Sequence, residues 1–402
     1  MKNNKQHIWI GTDQLNNSQE LSQMEQSEFA ELPANGNSVD LKLESNRRDF
    51  LKYLGFGIGA ATIAACDIPV RKAVPYVVKP DTIVPGVATY YASSFVQGGD
   101  YCPILVKTRE GRPIKIEGNS LSSITKGGTS ARAQAMVLSL YDTSRFDGPR
   151  AIVDGVPDKK ATSWADLDAA INKKLKPGAR VRIVSNTILS PTTKQAVADF
   201  KATYPNTELV SYDPVSASAL LQANEESFGQ RAIPEYMFDK ADVIVAIDCD
   251  FLGTWLSPIE FARQYASRRK PNGQTKMSRH IQIESYMSLT GSNADNRIPL
   301  KPSQIGAAIV ALYGEVAQQT GAGGGRLAGP KLSADQQRKI NTIAKELVAA
   351  RGKSLVVCGS NNKSEQILVN GINAMLNNYG RTLSFARPLM TRQGDDKAAL
   401  QL

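Results

Sequence analysis

Cysteine and histidine are scarce in this 402-residue chain, with four of the first and two of the second. Cys66, Cys102, Cys249 and Cys358 are too far apart for any CxxC pair, which excludes a zinc ribbon, a ferredoxin-type cluster loop and a c-type haem from these residues. His7 lies in a polar leader, so a histidine metal site or a Ser-His-Asp triad would rest on His280 alone. Its setting, SRHIQIE, reads as the start of a buried strand and points to a structural role. Long hydrophobic runs are missing too: the apolar stretch from Tyr53 to Ala65 covers about thirteen residues, where a bilayer span needs roughly 20. The glycine-rich segment TGAGGGRLAGP (Thr320 to Pro330) lacks an ordered G-x-G-x-x-G between strand and helix, so it reads as a linker and not a phosphate loop. The formal charge of +10 is spread along the chain, which suits solubility or an acidic partner surface; no nucleic acid partner is expected.

What is present begins with the leader. From Met1 to about Glu44 the chain is rich in Asn, Gln, Ser and Glu and predicts disorder. Arg47-Arg48, with Phe50, Leu51 and Lys52, then resembles a twin-arginine export motif in which Asn46 replaces the usual Ser or Thr. The short apolar run behind it reads as a signal-peptide core. Ile63-Ala64-Ala65 before Cys66 resembles a lipobox, which makes Cys66 the expected lipidation site. These residues predict twin-arginine export and a lipid anchor on the periplasmic face of a bacterial inner membrane.

Farther on, 88–95, 104–108 and 112–117 predict a small antiparallel unit, followed by a short helix over 130–140 and a loop over 142–150. Strands at 181–185, 208–212, 243–248 and 280–284 alternate with helices at 163–175, 192–202, 216–227 and 258–267, the pattern of βαβ units and a parallel sheet. Beyond the linker, a helix at 334–350, a strand at 355–358, a helix at 364–378 and a strand at 382–385 suggest a second βα lobe. The expected divisions are a leader (1–66), an extended segment with the antiparallel unit (67–150), a βα domain (151–320), a linker (321–333) and the start of a second lobe (334–402), an incomplete domain.

Several stretches together carry a family resemblance. IWIG, EFAELP and NRRDFLK, then VPYV, VPGVATYYA, GRPIKIEGN, FDKADVIVAID, LGTWLSPIEFARQ, ESYMSLTGSNADNRIPLKPSQI and KSLVVCGSN resemble the N-terminal half of the B subunit of alternative complex III. The leader, LGTWLSPIEFARQ and SLTGSNADNR carry most of the specificity. The resemblance implies an α/β, molybdopterin-oxidoreductase-like fold of the formate dehydrogenase/DMSO reductase kind, with helix-flanked parallel sheets and the small N-terminal antiparallel unit. It also implies a membrane complex passing electrons from quinol to a cytochrome c or a copper protein. Multihaem cytochrome c and quinol-binding integral membrane subunits are the implied partners. Iron–sulfur clusters are implied in a C-terminal ferredoxin-like region outside these residues.

The sequence departs from active molybdopterin enzymes where the cofactor would bind. Where they place three or four cysteines, this chain has Cys102 alone, expected to be a buried small side chain. Asp248-Cys249-Asp250 stands in place of Gly-x-Asn, Glu284-Ser285-Tyr286 in place of Asp-Pro-Arg, and Pro302-Ser303-Gln304-Ile305 in place of Pro-Gly-Thr-Asp. Carboxylates beside a pyrophosphate repel it. Asp213, Ser216 and Ser218 fall where a protein ligand to molybdenum would lie, but SYDPVSAS reads more simply as a turn and a helix cap; Asp295 and Arg297 read as structural. The reading is therefore a non-catalytic scaffold subunit with no catalytic, cofactor or metal residues and no molybdopterin. The competing readings are an active periplasmic molybdopterin oxidoreductase, for example a sulfur-compound reductase, and a solitary exported ligand-binding lipoprotein.

Overall fold

The computed structural model of the protein describes residues 81, 83–97, 100–270, 276–322 and 332–401, all within one unit, Lys79–Leu402. Arg47, Arg48, Phe50, Leu51, Lys52 and Cys66 lie outside the described residues. The architecture is mixed α/β, with parallel and antiparallel sheets. Among the described residues no helix is long and apolar enough to cross a membrane.

Strands β1 (Thr89–Gln97), β2 (Asp100–Arg109) and β3 (Arg112–Gly118) form the expected antiparallel unit. Its small core of Phe95, Cys102, Ile104 and Ile116 is closed by Ala133 of α1 (Ala131–Ala135), a helix capped by the Ser130 hydroxyl. The predicted 130–140 helix is thus one α turn followed by a 3-10 segment, Met136–Leu140. The sequence reading missed a hairpin, β4 (Arg150–Val153) and β5 (Val156–Ala161). Its turn residues Asp154 and Gly155 have φ of 51° and 79°, the left-handed pair that a two-residue hairpin requires.

Helix α2 (Trp164–Lys174) starts at Ser163, whose hydroxyl accepts the Asp166 N–H at 3.1 Å. It leads to β6 (Val181–Ser185), α3 (Pro191–Thr203) and β7 (Thr207–Ser211). The two strands run parallel, as predicted, but among the described residues they pair only with each other.

Helix α4 (Ser218–Phe228), β8 (Ile233–Tyr236), β9 (Val243–Ile247), α5 (Pro258–Ser267), β10 (Arg279–Glu284), α6 (Leu289–Ser292) and β11 (Asn296–Pro299) follow. Then come α7 (Pro302–Thr320), α8 (Ala334–Ala349), β12 (Ser354–Cys358), α9 (Lys363–Met375), β13 (Leu383–Leu389) and α10 (Asp396–Ala399). The central sheet has the order β11-β10-β9-β12, all parallel. This corrects the expectation of a second lobe: β12 inserts beside β9, and β13 returns to pair antiparallel with β8. Residues on both sides of the glycine-rich segment share one core, in which Ile305, Ile309, Leu312 and Val316 of α7 meet Ile340, Ile343 and Leu347 of α8.

The strand period of two explains both faces. Val245, Ile247, Ile281, Ile283 and Val356 point toward α7, α8 and α9, while Ile244, Ala246, Leu355 and Val357 point toward α4 and α5. Each such fully buried aliphatic side chain contributes roughly 1.5–3 kcal/mol of transfer free energy. On β10 the second face is different: His280, Gln282 and Glu284 occupy it, all buried.

Candidate functional site

In an open parallel sheet, ligands bind beyond the carboxyl ends of the strands where the chain order reverses. Here that point lies between β9 and β12, so the segments after Ile247, Glu284 and Cys358 define the candidate site. The gap between the two strand ends is closed by backbone. Gly359 N–H donates to the Ile247 carbonyl at 3.0 Å, and a Cβ on Gly359 would overlap the Asp248 carbonyl oxygen. Asp248 turns the chain with φ of 47°.

The carboxylates at the strand ends are held by their own loops. Asp248 Oδ1 accepts the Ser285 hydroxyl at 3.1 Å, and Asp250 Oδ1 accepts Thr290 N–H at 3.0 Å and its hydroxyl at 2.7 Å. Glu284, 1% exposed, accepts the Ser288 hydroxyl at 2.6 Å and Arg297 Nε at 2.5 Å. Burial pushes the Glu284 carboxyl up, but the Ser288 and Arg297 bonds outweigh it and hold the group below its ordinary value. Gly291 is required at this spot, because a Cβ there would collide with Glu284 Oε1. Sequence reasoning found these acids and named Ser285, and Ser288 and Thr290 within SLTGSNADNR, without giving them a role in holding the carboxylates, since their only local signal is short spacing after a strand.

A polar ladder runs down β10 behind this site. His280 Nε2 lies 3.2 Å from Gln282 Oε1, and Gln282 Nε2 donates to Glu284 Oε2 at 3.2 Å and to the Cys249 carbonyl at 3.2 Å. His280 Nδ1 lies 3.2 Å from the Tyr265 hydroxyl, which donates to the Asn293 carbonyl at 2.9 Å. Burial drives the imidazole down to about 4. Asp295 accepts the His280 backbone N–H at 2.8 Å and pairs with Arg269 at 2.6 Å. His280 is thus packed within the sheet, and Asp295 and Arg297 tether their segment to β10.

Asp213, Ser216 and Ser218 gather at a second cluster, joined by residues from far along the chain. Asp213, buried after β7, accepts Thr187 N–H at 2.9 Å, the Thr187 hydroxyl at 2.6 Å and Gly394 N–H at 2.8 Å. The Ser216 hydroxyl accepts Ser218 N–H at 3.0 Å and donates to Asp396 Oδ2 at 2.8 Å, while Asn361 Nδ2 donates to the same oxygen at 3.0 Å. The N-cap of α4 is Ala217 and not Ser216, although the Ser216 side chain satisfies the first helical N–H. The Asp396 carboxylate thus stands at the N-terminus of α4, where a helix favours an anion. Arg392, 4% exposed, donates to the Val215 carbonyl at 2.7 Å and lies 3.9 Å from Asp100 Oδ1.

Of the three described cysteines, Cys102 stands apart from Cys249 and Cys358, which lie at the neighbouring ends of β9 and β12, near enough that Cys358 adds to the burial that raises the Cys249 thiol. Cys102 is buried in the antiparallel unit, its thiol pushed up by burial and by Asp100, and its Sγ contacts the Gly128 carbonyl at 3.4 Å. Burial also raises the Cys249 thiol and takes Cys358 to about 12. Among the described residues no group of three or more His, Cys, Asp or Glu side chains could hold a metal ion. A pyrophosphate at the strand ends would meet carboxylates already bonded to protein, beside a gap closed by Gly359.

No protein-family model matches the sequence. The chain is 24% identical over 216 residues to the menaquinone reductase, molybdopterin-binding-like subunit of Nitratidesulfovibrio vulgaris, a match covering 50% of this chain and 29% of that protein. The fold is similar to acetylene hydratase from Pelobacter acetylenicus, with a TM-score of 0.50 and 10% identity over 72% of this chain and 44% of that one. A chain of the formyltransferase/hydrolase complex from Methylorubrum extorquens, solved with methylofuran, aligns at a TM-score of 0.39 and 17% identity over 55% of this chain and 57% of that one. The match to the menaquinone reductase subunit thus spans less than a third of that protein's length.

Proposed function

We propose that this chain is a non-catalytic, molybdopterin-oxidoreductase-like part of a membrane quinol:electron-acceptor oxidoreductase of the alternative complex III type. The similarity to a menaquinone reductase molybdopterin-binding-like subunit supports the coarse assignment. The observation that carries the non-catalytic reading is the strand-end crevice, closed by Gly359 and lined by carboxylates that Ser285, Ser288, Thr290 and Arg297 already hold. In this reading the fold is a scaffold. It positions electron carriers belonging to other parts of the assembly: multihaem cytochrome c, quinol-binding integral membrane subunits, and iron–sulfur clusters in a ferredoxin-like region outside these residues. Twin-arginine export and a lipid on Cys66 place the scaffold on the periplasmic face of the membrane.

Purification of the intact subunit from membranes in mild detergent, followed by elemental analysis, tests the reading. The expected result is haem and iron–sulfur iron in the assembly with molybdenum and tungsten far below one per subunit. Stoichiometric molybdenum or tungsten, or a lone subunit without haem partners, overturns it.

A further inference from the structure

We infer that β6 is a docking site for a partner subunit that adds a β-strand along the open edge of β6 and presents acidic side chains to the basic 173–180 stretch before it. The inference rests on the proposed membership of a complex, but the chemistry of the partner comes from this surface. Among the described residues, strand β6 has a hydrogen-bonded neighbour on one side only, β7. Parallel strands normally occur in larger sheets covered on both faces, and a bare edge offers a row of unpaired N–H and C=O groups. Val184, in register with Val210, is 58% exposed, and neither α2 nor α3 has a single buried residue. Nearby in sequence, Ile152 on the hairpin is 64% exposed and Trp164 at the start of α2 is 68% exposed. Single exposed apolar groups are ordinary; the unpaired backbone of β6, with Val184 open beside it, is what marks an interaction face.

The charge pattern selects the occupant. Lys173 and Lys174 in the last turn of α2, and Lys176 and Arg180 between α2 and β6, are all exposed, and none pairs with a described carboxylate. A second copy docking edge to edge would bring these cations together, which disfavours self-association. An anionic membrane would satisfy the charge but leaves the backbone edge of β6 without donors and acceptors. An extended, acid-flanked segment of another polypeptide satisfies both, by strand addition.

The test places a photoreactive benzoylphenylalanine at Val184 in the full-length chain, with the same group at exposed Leu121 as a control, and irradiates native membranes. The expected product is a covalent adduct between the chain and one other polypeptide, with an acidic, extended peptide at the cross-link, obtained from position 184 and not from position 121. Replacing Lys173→Glu, Lys174→Glu, Lys176→Glu and Arg180→Glu together should cut adduct yield by about tenfold or more, while the corresponding Lys→Arg changes preserve it. Absence of an adduct, a lipid adduct, a cross-link confined to the same chain, an adduct with a second copy, or indifference to charge reversal each overturns the inference. If the adduct forms as expected but the assembly contains no haem, the docking site stands and the respiratory assignment falls.

Discussion

The four-stranded sheet and the β6–β7 pair follow the same parallel strand–helix–strand logic and end in opposite conditions. In the larger sheet VIVAI, and SLVVC after its buried Ser354, are apolar and nearly wholly buried, with helices on both faces. In the smaller one VRIVS alternates in exposure and TELVS mixes polar and apolar residues, and Arg182 and Glu208 pair across the strands at 2.9 Å while both remain half open to solvent. The difference teaches that one rule of connectivity can build either a finished core or a surface, and that the residue pattern within the strand decides which.

Truncating a ring in the finished core gives the largest separation of the two regions. Phe251 is fully buried and stacks on Phe238 with ring centroids 4.3 Å apart. Phe251→Ala should lower stability by about 3–5 kcal/mol, because the surrounding aromatic cluster cannot collapse into the space. Trp164→Ala, on the outer helix, should change stability by no more than about 0.5 kcal/mol. Urea midpoints measure both, and equal losses would erase the contrast.

The pH response comes next in size and belongs to the larger sheet alone. The unfolded chain protonates His280 near 6.5, whereas the folded chain does so only near 4. Folding therefore gains from the neutral imidazole above pH 6.5 and loses about 3 kcal/mol as the pH falls from there toward 4. Carboxylates held below their ordinary values, such as Asp295 and Glu284, add their loss at lower pH still. A urea midpoint that falls between pH 6.5 and 4.5 in the wild type, and falls much less in His280→Asn, is the expected outcome. Equal slopes would show that the buried ladder on β10 does not set the acid limb.

Much of this contrast was legible in the residues, and the limits have physical causes. The strands β6, β7, β9, β10 and β12 stood out because apolar runs bounded by turns are a local signal. Helix α7, the longest of the described helices, went unseen because it lies between the sheet, α8 and α9 and is apolar on most sides, so no amphipathic stripe marks it. Pro302 at its first turn, with Ile305, Ile309, Leu312 and Val316 behind it, was the available signal. The insertion of β12 beside β9 left no local trace, since pairing of Ser354 with Val243, 111 residues away, is set by the assembled core. The acids of the candidate site were readable as repelling phosphate, but not their engagement: the bond from Ser216 to Asp396 joins residues 180 apart in sequence.

Val184→Ser should have the smallest effect on the isolated chain and is the sharpest probe of the difference between the sheets. The side chain is already more than half exposed, so replacing it removes little burial, and the expected change is within about 0.5 kcal/mol by thermal or urea unfolding. The matching change on the larger sheet, Val356→Ser, places a hydroxyl at a fully buried position and loses the packing of two methyl groups, which should be several times more costly. If Val184→Ser destabilises the isolated chain as much as Val356→Ser, the face of β6 is already covered within the protein, and the two sheets differ in pattern without differing in state.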